Sequence, residues 1–132
     1  MKVENQVRRT ERGWAGHFCC ADRCLFRLNT LLECDGQKVV ISTVGRMLAN
    51  PNDKEFTPIG AFGRHFETRV WMAQEDDKYN DIDVDKPVNF ESECNLLAPD
   101  MEIEANEMHE TVVNEITGYL LAGTLKYGEE YL

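Results

Sequence analysis

The dipeptide Asp35-Gly36 constrains this chain more than any other short feature, because it separates two segments that both read as strands. Asp-Gly accepts positive φ at both central positions of a tight turn, which is what a two-residue hairpin loop requires. On its C-terminal side, Lys38 to Val44 reads KVVISTV, with four β-branched apolar residues and Thr43 among its seven. On its N-terminal side, Cys24 to Glu33 alternates in part. Cys24, Phe26, Leu28 and Thr30 fall on one face, and Leu25, Arg27 and Asn29 on the other. Leu and Arg also suit a helix there; the turn decides for a strand.

Further strands are expected on both sides of this hairpin. Trp14 to Cys20 is short and apolar, with Ala21-Asp22-Arg23 as a turn into the next strand. Met47 to Gly60 carries Pro51 and Pro58 and reads as a loop. Arg64 to Gln74 follows, with Phe66, Thr68, Val70 and Met72 directed to the core. His65, Glu67, Arg69 and Trp71 are directed to solvent or a partner. Asp81-Ile82-Asp83-Val84-Asp85 alternates acid with β-branched residues, which puts Asp81, Asp83 and Asp85 on one face and Ile82 and Val84 inward. Pro87 confines that segment to an edge or a strand end, with Val88 to Phe90 continuing the pairing.

The last long element is a helix from about Asp100 to Leu121. Pro99-Asp100 supplies a stop and an N-cap, and Glu102 and Glu104 suit the positive end of the helix dipole. Met101, Ala105, Met108, Val112, Ile116 and Tyr119 recur at three- and four-residue steps and form one apolar stripe. Gly123 is the expected C-terminal stop. An amphipathic helix in such a chain can bury its stripe only on the sheet. The expected fold is therefore α+β: an antiparallel sheet of about five strands packed against one long C-terminal helix. A chain of 132 residues fits a single domain over 1–132, with 1–12 a flexible leader and 124–132 a tail.

Charge is divided unevenly. Residues 1–74 hold 11 Lys/Arg against 8 Asp/Glu, or +3, whereas residues 75–132 hold 3 against 16, or −13, together giving the net −10. Such a division points to a surface of one sign, which repels nucleic acid and lipid phosphates and attracts basic protein surfaces. The carboxylates concerned are Asp76, Asp77, Asp81, Asp83, Asp85, Glu91, Glu93, Glu104 and Glu107, with Trp71 as an exposed apolar contact. Spacing of 6.5–7 Å between alternate strand residues, a value of about two rises, approximates phosphate spacing in an extended nucleic-acid strand. The Asp81 to Asp85 segment lacks the Gly and distal Glu of an EF-hand loop, which disfavours calcium.

Other candidates are weaker. His17-Phe18-Cys19-Cys20-Ala21-Asp22-Arg23-Cys24 contains Cys20-x₃-Cys24, the first half of a zinc pattern, with His17 or Cys34 as added ligands. There is no second tight pair, and strand alternation puts His17 and Cys19 opposite Cys20. Buried thiols are the expectation, and a zinc- or thiol-dependent enzyme using His17, Cys19, Cys20 and Cys24 is the alternative. Five cysteines without an apolar leader suit a reducing, cytoplasmic setting. His109 lacks the partner histidine of a zinc-protease helix, since position 113 is Val, and is assigned to the solvated helix face. His65 with Glu67 reads as an acid–base pair or a salt-bridged surface. No phosphate loop or nucleophile elbow is present.

Small size, a compact α+β domain and the acidic run from Glu75 to Glu115 together resemble small acidic proteins of phages and mobile elements. Within that group the likeness is to the anti-defence class, including anti-CRISPR and anti-restriction proteins. The resemblance implies an inhibitor that is not an enzyme and uses no metal or other cofactor. It would bind a basic protein surface, such as a nucleic-acid-binding complex, rather than nucleic acid or membrane. A structural component of a larger assembly is the remaining alternative.

Overall fold

The computed structural model describes residues 6–13, 23–59, 63–75, 78–90, 96–128 and 130–131. The strands run β1 (Arg8–Arg12), β2 (Cys24–Cys34), β3 (Gln37–Met47), β4 (Phe66–Ala73), β5 (Ile82–Phe90) and β6 (Glu130–Tyr131), with α1 (Glu102–Ala122) between the last two. Their order in the sheet is their order in sequence. Strands β1 to β5 form an antiparallel meander, and the two-residue β6 joins the β5 edge in parallel. The fold is α+β, with the helix lying over β2, β3 and β4.

The hairpin follows its turn chemistry. Asp35 and Gly36 have φ of 49° and 83°, the two positive values of a type I′ turn, and Cys34 pairs with Gln37. Beneath the helix, Leu32, Val39, Ile41, Val70 and Val88 meet Val112, Val113, Ile116 and Leu120. The helix ends as expected at Gly123, whose φ of 71° turns the chain out and brings its N–H to Leu120 O. Its start differs from expectation. Met101 occupies the N-cap without a side-chain hydrogen bond, so Asp100 does not cap the helix.

The expected strand at Trp14 to Cys20 and the turn residues Ala21 and Asp22 lie outside the described residues. Residues 8–12, read as part of a flexible leader, instead form an edge strand. Their sequence, RRTER, has no apolar periodicity, and polar contacts hold them. Arg9 makes a two-pronged bond to Glu110 at 2.5 and 2.9 Å, and Thr30 donates to Glu11 at 2.7 Å.

The centre of the sheet is buried on both faces. On the side away from α1, Leu31, Val40, Trp71, Ala73 and Ile82 form a second apolar cluster. Trp71, expected at the surface, is only 8% exposed. Its strand lies between β3 and β5, and the segment leading into β5 folds across that side of the sheet. Arg12 on β1 donates to the carbonyls of Tyr79 and Asn80, and Lys38 on β3 donates to Asn80 Oδ1. Trp71 is therefore a core residue rather than a free contact.

A third packing unit crosses three strands. Phe26, Gly45 and Phe66 are register partners on β2, β3 and β4. The missing side chain at Gly45 lets the Phe66 ring reach across to Phe26, edge to face at 5.2 Å between centroids. A Cβ at position 45 would stand 2.2 Å from Phe66 Cδ1 and 2.7 Å from the His65 carbonyl. Gly45→Ala is expected to destabilise the fold by about 1–3 kcal/mol through overpacking, measured as a fall in the urea midpoint at unchanged slope.

Candidate interaction surface

α1 carries five glutamates and no Lys or Arg, and its own geometry sorts them. Ala105, His109, Val112, Val113, Ile116 and Leu120 face the sheet, which leaves Glu104, Glu107 and Glu115 on the exposed side. Two other glutamates are neutralised. Glu110 accepts Arg9 from β1, and Glu102 pairs with Arg46 at the end of β3. The Arg9 hydrogen bond holds the Glu110 carboxyl below its ordinary range. Glu104 and Glu107 are three residues apart and therefore neighbours on one face, an arrangement that costs a helix about 0.2–0.5 kcal/mol. Ile103, beside them, is 73% exposed and adds an apolar element to the same end of the helix.

The acids of β5 are arranged differently from expectation. Ile82 sits opposite Ala73 and Pro87 opposite Trp71, so four residues of β5, 83–86, oppose the single Met72. This stretch bulges out of the ladder, which ends the period-two alternation. Val84, expected inward, is 76% exposed, while Ile82 is buried. Asp81 accepts from the Ile82 N–H at 2.7 Å and Asp83 from the Asp85 N–H at 3.0 Å. The three aspartates thus do not form an evenly spaced row, and the strand analogy with nucleic-acid phosphates fails here. Asp76, Asp77, Glu91 and Glu93 lie outside the described residues.

His17, Cys19 and Cys20 also lie outside them. The two remaining candidate ligands, Cys24 and Cys34, are buried cysteines at opposite ends of β2. An eleven-residue strand separates its ends by roughly 30 Å, so these two cannot share a metal ion. Burial and the neighbouring Asp35 push the Cys34 thiol upward, which suppresses the thiolate needed for nucleophilic chemistry. Among the described residues no group of three His, Cys, Asp or Glu side chains converges as a metal site. Glu67 is turned to Arg69 at 2.6 Å along the same strand, rather than to His65. Arg23 donates to the Ala49 carbonyl at 3.0 Å and, like Arg9 and Arg12, serves the fold.

His109, expected on the solvated face of the helix, is buried instead. It is 1% exposed, between helix and sheet, with Nε2 2.7 Å from Thr30 Oγ1 and Nδ1 2.7 Å from Thr43 Oγ1. A carboxylate only accepts, so Thr30 must give its one proton to Glu11 and accept from His109 Nε2–H. Nδ1 then accepts from Thr43, which accepts in turn from Thr68 at 2.6 Å. The proton order is Thr68 to Thr43 to His109 to Thr30 to Glu11. One neutral tautomer satisfies every member. Burial dominates its titration and lowers the pKa to about 4, against the smaller opposing effects of Glu11 and Glu110. A helix count could have flagged it, since position 109 lies four residues from Ala105 and three from Val112.

No protein-family model matches the chain, and no curated protein or solved structure is significantly similar to it.

The buried imidazole makes stability depend on pH. Its folded pKa of about 4 lies below the ordinary 6.5, so between these values the unfolded chain binds the extra proton. The contribution is complete above pH 6.5 and is lost as pH falls toward 4, on the order of 3 kcal/mol in total. His109→Leu is expected to cost about 1–3 kcal/mol at neutral pH. Urea titrations from neutral to acidic pH should show a shallower decline in the variant than in the native chain.

Proposed function

We propose that this chain is a non-enzymatic interaction protein whose acidic helix face occupies a basic, nucleic-acid-binding surface on a protein partner in the cytoplasm. The observation that carries the reading is the exposed set Glu104, Glu107 and Glu115 on a helix without a single cation. Glu104 suits the positive end of the helix dipole, but Glu107 and Glu115 lie beyond the first turn, where the fold gives a carboxylate no such gain. Glu104 and Glu115 are separated by roughly 16 Å along the axis, about two Debye lengths at physiological salt. A complementary row of Lys or Arg would therefore meet them as separate contacts. Ile103 takes the anchoring place first assigned to Trp71, since interfaces concentrate their energy at a desolvated apolar centre.

The likeness to anti-defence proteins supports an inhibitor that blocks a nucleic-acid-binding complex by occupying its basic surface. The bulged Asp83 and Asp85 extend the negative surface on β5 without forming a phosphate-like ladder. No helix among the described residues is long and apolar enough to cross a membrane.

Capture of the partner from a host lysate should fall steeply between about 50 and about 300 mM salt, as the Debye length contracts. Glu107→Lys combined with Glu115→Lys, both beyond the first turn of the helix, should abolish capture at low salt while leaving the unfolding midpoint nearly unchanged. Capture that ignores both salt and this double variant would overturn the reading.

A further inference from the structure

The outer edge of β1 carries backbone groups that the sheet does not use. Cys34 and Gln37 flank the type I′ turn, where a two-residue hairpin makes its first hydrogen-bonded pair. Alternation along β2 then directs Cys34, Leu32 and Thr30 to β3, and Glu33, Leu31 and Asn29 to β1. The β1 residues opposite the latter three, Arg8, Thr10 and Arg12, therefore bond inward. Arg9 and Glu11 point their N–H and C=O outward, at the border of the sheet. Both residues are exposed, so these groups are open to another strand.

The side chains narrow what can pair there. Arg8-Arg9-Thr10-Glu11-Arg12 complements itself when laid antiparallel on a second copy with Thr10 at the centre. In that register each Arg9 stands opposite a Glu11, and the two Thr10 residues meet on the two-fold axis. Opposite charges and facing threonines are favourable cross-strand pairs. The backbone agrees, because Arg9 and Glu11 are the residues with outward groups, and their pairing supplies about four N–H···O=C bonds. A slip of two residues sets Arg9 against Arg9 or Glu11 against Glu11, so charge selects the register. Arg8 falls opposite Arg12, but Arg12 is turned inward to Asn29 and to the carbonyls of Tyr79 and Asn80. The helices do not collide, since each lies over its own β2 to β4 and the two β3 strands are about 24 Å apart, five strand spacings.

We infer that β1 is a self-pairing edge, through which two copies of this chain join their sheets antiparallel about Thr10. A five-residue strand buries less than the roughly 1,000 Å² of a stable interface. The association is therefore weak and reversible, with a dissociation constant between about 10 µM and about 1 mM. It draws nothing from the reading of the helix face, and either assignment stands without the other.

Sedimentation equilibrium of the full chain under reductant, from about 10 µM to about 1 mM, should show a monomer–dimer equilibrium. Amide hydrogen exchange at Arg9 and Glu11 should slow about threefold or more over the same range, as the outward N–H groups become paired. Thr10→Cys should form a disulfide with its counterpart on mild oxidation, because facing residues of a non-hydrogen-bonded pair have Cα atoms about 4.5 Å apart. Arg8→Cys should not, since an offset of four residues sets its two copies roughly 13 Å apart or more. Mass spectrometry of the oxidised variants locates the link. A chain that stays monomeric at about 1 mM overturns the inference, as does a dimer in which exchange at Arg9 and Glu11 is unchanged. It is equally overturned if Thr10→Cys gives no link where the native chain dimerises, or if Arg8→Cys links as readily. The exchange measurement uses the native chain and decides the matter if a variant does not fold.

Discussion

The neutral imidazole of His109 is the contact on which the placement of the helix depends. Apolar burial brings α1 onto the sheet but does not by itself select one rotation or one axial position, because aliphatic side chains tolerate small slips. His109 does select them. It must place both ring nitrogens within hydrogen-bond reach of Thr30 on β2 and Thr43 on β3. A slip would leave polar atoms buried without partners, and that penalty is greater than the net worth of the bonds themselves. The network runs outward through Glu11, which ties the edge strand β1 to the same point. Helix, central strands and edge strand are therefore aligned by one chain of hydrogen bonds.

This arrangement explains why β1 exists at all. RRTER has no hydrophobic face to bury, and its place in the sheet is defined by what it pairs with. Arg9 bridges Glu11 and Glu110, and Arg12 crosses the opposite side to Asn29 and the carbonyls of Tyr79 and Asn80. Those same bonds hold down the segment that covers Trp71. A strand that reads as a polar leader thus supports the helix on one face of the sheet and the second apolar cluster on the other.

Local signals in the sequence carried the parts of the fold that local physics decides. Asp35-Gly36 dictates its turn because only certain residues accept two successive positive φ values, and Gly123 ends the helix for the same reason. The β-branched run of β3 and the existence of α1 were equally legible, but of the expected stripe only Ala105, Val112 and Ile116 are buried, with Met101, Met108 and Tyr119 at its margin and His109, Val113 and Leu120 in their place. Features that depend on tertiary pairing were not. His109 is polar by type and buried by position, and only Thr30 and Thr43, distant in sequence, make that affordable. Trp71 sits on a strand whose alternation is genuine, but alternation cannot report that a loop covers the second face. The Asp81 to Asp85 pattern promised a flat strand, whereas pairing at both of its ends forces a bulge between them.

The division of charge along the sequence takes a different form in space. The basic half does not stand apart from the acidic half; two of its arginines lie along the margins of the helix, Arg9 on Glu110 and Arg46 on Glu102. Neutralising these flanking carboxylates leaves the outermost ones, Glu104, Glu107 and Glu115, as the concentrated residue of the net charge. Lysine makes the single-point contacts, as from Lys38 to Asn80 Oδ1 and from Lys86 to Glu75. Arginine, with its planar fork, is found where the fold needs a directed two-point contact, as between Arg9 and Glu110. The choice between the two cations therefore follows the task at each place: a point contact for lysine, a directed two-point contact for arginine.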